Sequence, residues 1–146
     1  MQKIVSIRIF SIFLILIITA SFFPAFALTE LERASIADPK LVNTFGVSLG
    51  NNINVDQQIQ ISADITNNQE KSQTFYMIVQ IKNEEGYVVS VGWISGQLTP
   101  YQKFNPSLSW TPTQSGEFTA EIFVWDALIE NNNALSEYTM LQISVS

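Results

Sequence analysis

SWTPTQSGEFTAEIFVWDA, residues 109–127, ends one strand at Trp110-Thr111-Pro112, turns at Gln114-Ser115-Gly116 and launches another. In the second strand Phe118, Ala120, Ile122 and Val124 alternate with Glu117, Thr119, Glu121 and Phe123. Period-two alternation launched from a glycine turn marks a strand with one face in a core and one face outside. Here the outer face is not uniformly polar, because Phe123 and Trp125 share it with Thr119 and Glu121.

The same grammar extends outward in both directions. Val55–Thr66 places Ile59, Ile61, Ala63 and Ile65 on one face, and Thr74–Lys82 does so with Phe75, Met77, Val79 and Ile81. Asn83-Glu84-Glu85-Gly86 reads as a hairpin turn with glycine where a left-handed residue is wanted. Tyr87–Ile94 answers it, with Val89, Val91 and Trp93 as its apolar set. Lys103–Trp110 carries Pro106, which cannot donate to a central ladder and so marks a peripheral strand. Phe45–Leu49 and Tyr138–Val145 complete about seven strands, the last with Leu141, Ile143 and Val145 inward. Short strands at this spacing predict an all-β, antiparallel immunoglobulin-like β-sandwich over residues 45–146.

Upstream, residues 1–27 read as a signal peptide. Lys3 and Arg8 precede the apolar run Ile9–Thr19, and Ala25-Phe26-Ala27 is a small-x-small cleavage pattern. The uncharged run Ile9–Thr29 is also long enough to serve as an uncleaved anchor. Either route exports the domain, so an extracellular or cell-surface location is expected. Residues 28–44 read as a linker or a short helical cap, in which Thr29 and Glu32 are spaced for a capping box and Asp38-Pro39 excludes a long helix.

Composition narrows the function. The chain has no cysteine, so its core alone must hold it together, and no histidine, which removes the commonest general base and zinc or copper ligand. Losing Lys3 and Arg8 would leave five basic residues against thirteen acidic ones, a net charge of −8 that disfavours nucleic acid and anionic lipid. The membrane is a partner only through the N-terminal segment, if that stays uncleaved.

Several of these residues lie in a recognisable order. Asp64-Ile-Thr-Asn67, Gly86, Leu98-Thr-Pro100, Ser109-Trp-Thr-Pro112, Gly116-Glu-Phe118 and Asp126 resemble the immunoglobulin-like adhesion modules of prokaryotic surface proteins, the CARDB type above all. The resemblance covers about Asn54 to the end, with Tyr101 standing where that type has glycine. It implies a β-sandwich fold and a cell-adhesion or surface role.

No catalytic residues are expected. Glu84-Glu85 sits in a turn, and Glu117 and Glu121 are four residues apart on one strand, over about 10 Å along it. No serine has a histidine or lysine base placed beside it. Asp126, Glu130 and Asn131-Asn132-Asn133 offer oxygen ligands, but two carboxylates fall short of a calcium loop, so no metal and no cofactor are expected. That loop reads as an ordinary polar connection with asparagine at left-handed positions. Asn105-Pro106-Ser107 has proline in the middle and is no glycosylation acceptor.

The candidate binding residues are Tyr76, Ile78, Phe123, Trp125, Tyr138 and Met140. Side-by-side antiparallel pairing of their three strands brings all six to one end of an outer face. Two outcomes are open: an exposed contact face, or a second core covered by residues 28–42 through Leu31, Ile36 and Leu41. Trp93 and Trp110 are assigned to the main core or its rim. The expected activity is binding of an envelope or extracellular protein. A carbohydrate-binding module for polysaccharide and a structural subunit of a filament or surface layer are the alternatives. Cleavage after Ala27 predicts a mature protein beginning at Leu28; intact mass of the native protein checks this, and the full chain recovered from membranes would mean an anchor.

Overall fold

In four strands the alternation along the chain becomes burial as expected. The apolar sets from Ile59, Phe75, Phe118 and Leu141 onward are all buried, and they face one another across two sheets. The computed structural model describes residues 28–146; the signal or anchor segment expected at 1–27 lies outside the described residues.

Nine strands make up the immunoglobulin-like β-sandwich: β1 (Ala34–Val42), β2 (Asn52–Ile53), β3 (Ile59–Asn67), β4 (Gln73–Asn83), β5 (Val88–Leu98), β6 (Lys103–Phe104), β7 (Ser107–Trp110), β8 (Gly116–Trp125) and β9 (Thr139–Val145). Sheet one is β1-β3 with β6 and β7 end to end along the far edge of β3. Sheet two runs β2-β9-β8-β4-β5. All pairings are antiparallel except the two-residue β2, which runs parallel to β9.

Residues 34–42 correct the expectation of a linker or helical cap. Thr29 and Glu32 do bond as a capping pair, with the Thr29 N–H donating to Glu32 Oε2 at 2.9 Å, but the 3-10 turn they open spans only Glu30–Glu32. Ala34–Val42 then forms edge strand β1, paired along β3. Its ladder is broken by a bulge at Asp38-Pro39, where three residue steps on β1 match two on β3. The extra residue flips the side-chain parity, so Ile36 and Leu41 both pack into the core although they are five residues apart.

A second correction concerns residues 45–49. They form no strand; the chain reverses at Asn43, whose side-chain oxygen accepts the N–H groups of Phe45 and Val47, and Gly46 supplies φ 78°. The expected 103–110 strand is real but divided by Asn105-Pro106 into β6 and β7. The Asn83–Gly86 hairpin holds, with Gly86 at φ 85°.

Strand β5 reverses its expected orientation. Phe75, Met77, Val79 and Ile81 of β4 pair with Gly96, Ile94, Gly92 and Ser90, so these face the core and Val91 and Trp93 face out. At one position the reason is space: a Cβ on Gly96 would stand 3.1 Å from the Phe75 ring, whereas one on Gly92 would meet Leu108 in ordinary contact at 3.8 Å. The inner side of β5 carries Ser90, Gly92 and Gly96 beside a single large residue, Ile94, and most of the strand's bulk lies at the surface. Trp110 meets its expectation at the rim, edge-on to Phe118 with ring centroids 5.3 Å apart.

One buried polar residue ties the loops at one end. Asn67 donates from Nδ2 to the carbonyls of Lys71 (2.8 Å) and Thr99 (2.9 Å) and accepts the Gln69 N–H on Oδ1. Tyr101 in the adjoining turn has φ 57°, which accounts for the glycine that the resembling modules carry there. Asn67→Ala leaves two carbonyls and an N–H short of a partner and should cost about 2 kcal/mol or more, since each unsatisfied buried group costs about 1–3 kcal/mol. Urea unfolding measures it; a loss below about 0.5 kcal/mol, as for an ordinary surface change, would mean that Asn67 does not hold this end together.

Candidate functional site

The outer faces of the two sheets differ. On sheet one, β3 turns out Gln60, Ser62, Asp64 and Thr66, and the first three are engaged with polar neighbours. Ser62 donates to Asn105, Ser107 donates to Gln60, and Asp64 pairs with Lys103. On sheet two the outer face is apolar over half its length.

Register places the six expected residues together. Tyr76 lies opposite Trp125, and Ile78 opposite Phe123, on neighbouring β4 and β8. Phe123 stacks on Tyr138, with ring centroids 5.3 Å apart and planes 24° from parallel, and meets Trp125 edge-on at 6.4 Å. Met140 sits on β9 beside Glu121. Tyr138 and Met140 are each 48% exposed, and the other four are half-buried.

Two residues assigned elsewhere extend this surface. Trp93 pairs with Ile78 and Val91 with Gln80, so the outward side chains of β5 continue the rows of β4 and β8. Trp93, expected in the main core or at its rim, is 57% exposed on the outer face. The central row runs Trp93, Ile78, Phe123, Tyr138. A signal for it was present: Ser90, Gly92 and Gly96 are small residues at period two, and they mark the inner side of the strand.

The cover proposed for this face is absent from residues 28–42. Leu41 is fully buried in the main core and Ile36 packs against it, both through sheet one, while Leu31 is 42% exposed. Beyond the aromatic rows, the face ends in a polar band. Gln80 and Lys82 both donate to Glu121, at 3.0 and 2.9 Å, and Thr119 donates to Gln142 at 3.0 Å. These groups satisfy one another.

The other residues weighed as chemical candidates have structural partners. Glu117 accepts the Ser144 hydroxyl at 2.7 Å, beside a shallow pocket of ≈ 260 Å³ that Glu84 and Glu85 also line. Asp126 shapes the β8–β9 loop, accepting the Asn133 N–H at 2.7 Å and its Nδ2 at 3.1 Å, with Arg33 at 3.7 Å. Asn131 takes a left-handed φ of 60°. Among the described residues no cluster of three or more metal-ligating side chains occurs.

Burial opposes the charge on Asp126, but the Asn133 bonds and the Arg33 guanidinium outweigh it and hold the carboxyl below its ordinary value of 3.8. A carboxylate with a depressed folded pKa stabilises the fold above its unfolded pKa, and that contribution is lost as pH falls through the folded value. Asp126→Asn should therefore melt lower than the wild type at about pH 7, and the gap should close by about pH 2. Thermal melts across that range check it; a gap that persists in acid would show that the charge is not what the loop uses.

Comparison with known proteins now has a geometry to be set against. The model of the S-layer A-like family (SlaA-like) matches residues 26–142. Among solved structures, the C-terminal domain of wzt superposes with a TM-score of 0.67 at 14% identity, covering 85% of this chain and 80% of that one. The CARDB domain of a Pyrococcus furiosus protein, in complex with di-metal ions, superposes at 0.50 with 20% identity, covering 80% and 97%. A Paenibacillus cycloisomaltooligosaccharide glucanotransferase complexed with cycloisomaltoheptaose gives 0.59 at 16% identity, over 77% of this chain but 14% of that one. At such identities the likeness is one of fold alone, and so the CARDB resemblance stands as a shared β-sandwich. No curated protein matches by sequence.

Proposed function

The chain belongs to the S-layer A-like family, and on that premise we propose that it is a non-catalytic module of the cell surface that binds another envelope protein through the outer face of sheet two. The observation that carries this reading is the contiguous row Trp93, Ile78, Phe123, Tyr138, which residues 28–42 leave uncovered. An exposed apolar surface larger than a few hundred Å² is uncommon on a monomer, and aromatic side chains of about 150–250 Å² each reach that size quickly.

A protein partner fits the chemistry of the face better than a sugar. Ile78, Val91 and Met140 are interleaved with the rings, so the rings do not form an uninterrupted stacking platform. The nearest polar groups, Gln80, Lys82 and Glu121, already bond one another and offer few free donors or acceptors. Exposed Trp93 and Tyr138 are the feature that favours polysaccharide as the second reading.

Trp93→Ala and Trp125→Ala should each weaken binding to solubilised envelope protein about 30-fold, the equivalent of about 2 kcal/mol for an aromatic anchor. Trp93→Ala should leave the melting temperature nearly unchanged, because its ring lies outside the core. Binding curves of both variants against envelope protein, with cell-surface polysaccharide run in parallel, test the reading. Unchanged protein binding by both variants would overturn it, and a loss confined to polysaccharide would favour the sugar.

A further inference from the structure

Of the four sheet edges among the described residues, three are short, cut or kinked within their length, and the fourth, β5, is irregular only at its start. The β1 edge is kinked by the Asp38-Pro39 bulge, with Asp38 at φ 51° and Lys40 beside it. The β6–β7 edge is cut by Asn105-Pro106 into pieces of two and four residues. The β2 edge is two residues long. Bulges, prolines, charges and short strands are the usual means of protecting a sheet edge. By contrast, β5 runs 11 residues as VVSVGWISGQL, without a proline or a charged side chain, and its single irregularity is at its start opposite Ile81 and Lys82. Its Val88, Val89, Val91 and Trp93 are all exposed.

We propose that β5 pairs antiparallel with β5 of a second copy of this chain across a two-fold axis, joining the two five-stranded sheets into one of ten strands. A second copy brings an edge of the same length and the same neutrality, and charge favours one direction. The chain carries a net charge of −6, so two copies repel over most of their surface, whereas β5 is neutral along its whole length and adds no such penalty. Glu84 and Glu85 lie in the turn that leads into β5, while its far end, paired at Leu98 with Gln73, lies near Glu70 and Lys71, whose charges offset each other. Parallel pairing would set the acidic hairpins of both copies side by side. Antiparallel pairing avoids that repulsion by setting each against the neutral end, and a two-fold axis satisfies both edges at once. The pairing also runs the Val91 and Trp93 positions of one copy into those of the other, so the apolar outer face continues across the junction.

This inference goes beyond the outer-face reading and does not depend on it, because backbone groups of an edge make the contact. The full-length chain, expressed with its own N-terminal segment, is followed by light scattering from about 5 to about 500 μM. The wild type should rise to the mass of a dimer. Val91→Lys combined with Ser95→Lys, both exposed and outside the core, should remain monomeric with an unchanged melting temperature. The chain has no cysteine, so single cysteines at Val91, Ser95 and Gln97, alone and mixed in pairs, should form disulfide-linked dimers at the matching register, where facing Cα atoms come within about 7 Å. Trp125→Ala should leave the dimer intact, which separates failure of this inference from failure of the outer-face reading. A monomer throughout, a dimer that survives both lysines, or no cross-link at any β5 position would each overturn it.

Discussion

Burial between the two sheets is the constraint from which the rest of the molecule follows. With no cysteine to cross-link them, the sheets are held by the inward side chains of β3, β4, β8 and β9, and these fill the interior. Phe75 approaches Gly96 of β5 closely, and Leu108 lies by Gly92. Ser90, Gly92 and Gly96 leave Ile94 as the one large inner residue of that stretch, and the strand carries its bulk outside. The exposed Trp93 and Val91 are thus a consequence of how the core closes, and they complete the apolar rows begun by β4 and β8. In this protein the interior shapes the surface.

Loops at the two ends are set by polar residues of a different kind. Asn67 is fully buried with both amide donors satisfied, and it fixes the β3–β4 turn against the carbonyl of Thr99. Asp126 does the equivalent for the loop after β8, through the Asn133 backbone and side chain. Leu135 at the end of that loop is buried and its carbonyl accepts the Ala34 N–H, so the loop also anchors the start of β1. Asn67 and Asp126 are among the residues that carry the resemblance to surface adhesion modules in the sequence. Their partners explain why: they are requirements of a sandwich, common to proteins whose surfaces do different things. A family defined by such positions is informative about architecture and location, and the contact surfaces must be sought among the residues the fold does not use.

Two surfaces remain after the fold has taken what it needs, and they adjoin. One is the face of sheet two, where apolar side chains stand outside the core. The other is the edge of that sheet, where backbone groups have no neighbouring strand among the described residues. A face and an edge suit different contacts, side-chain packing in the first and ladder extension in the second. Modules that combine both can pair with a copy while keeping the face free, which is the property required of a repeating surface assembly.

Sequence alone determined the strands whose inward and outward residues differ in kind. The alternations of β3, β4, β8 and β9, the Gly86 hairpin and the six aromatic and apolar outer positions were legible because period two is printed directly in residue order. Two elements were not. In β1 the Asp38-Pro39 bulge shifts side-chain parity midway, so no single period connects Ile36 to Leu41, and the segment reads as irregular. In β5 the large apolar residues lie on the wrong side for a rule that sends bulk inward, because the pairing with β4 turns Ser90, Gly92 and Gly96 inward and Gly96 is held close to the Phe75 ring from elsewhere in the chain. Which face of an edge strand is inner depends on how near the opposite sheet approaches it. That distance is a property of the assembled sandwich and exists in no stretch of its sequence.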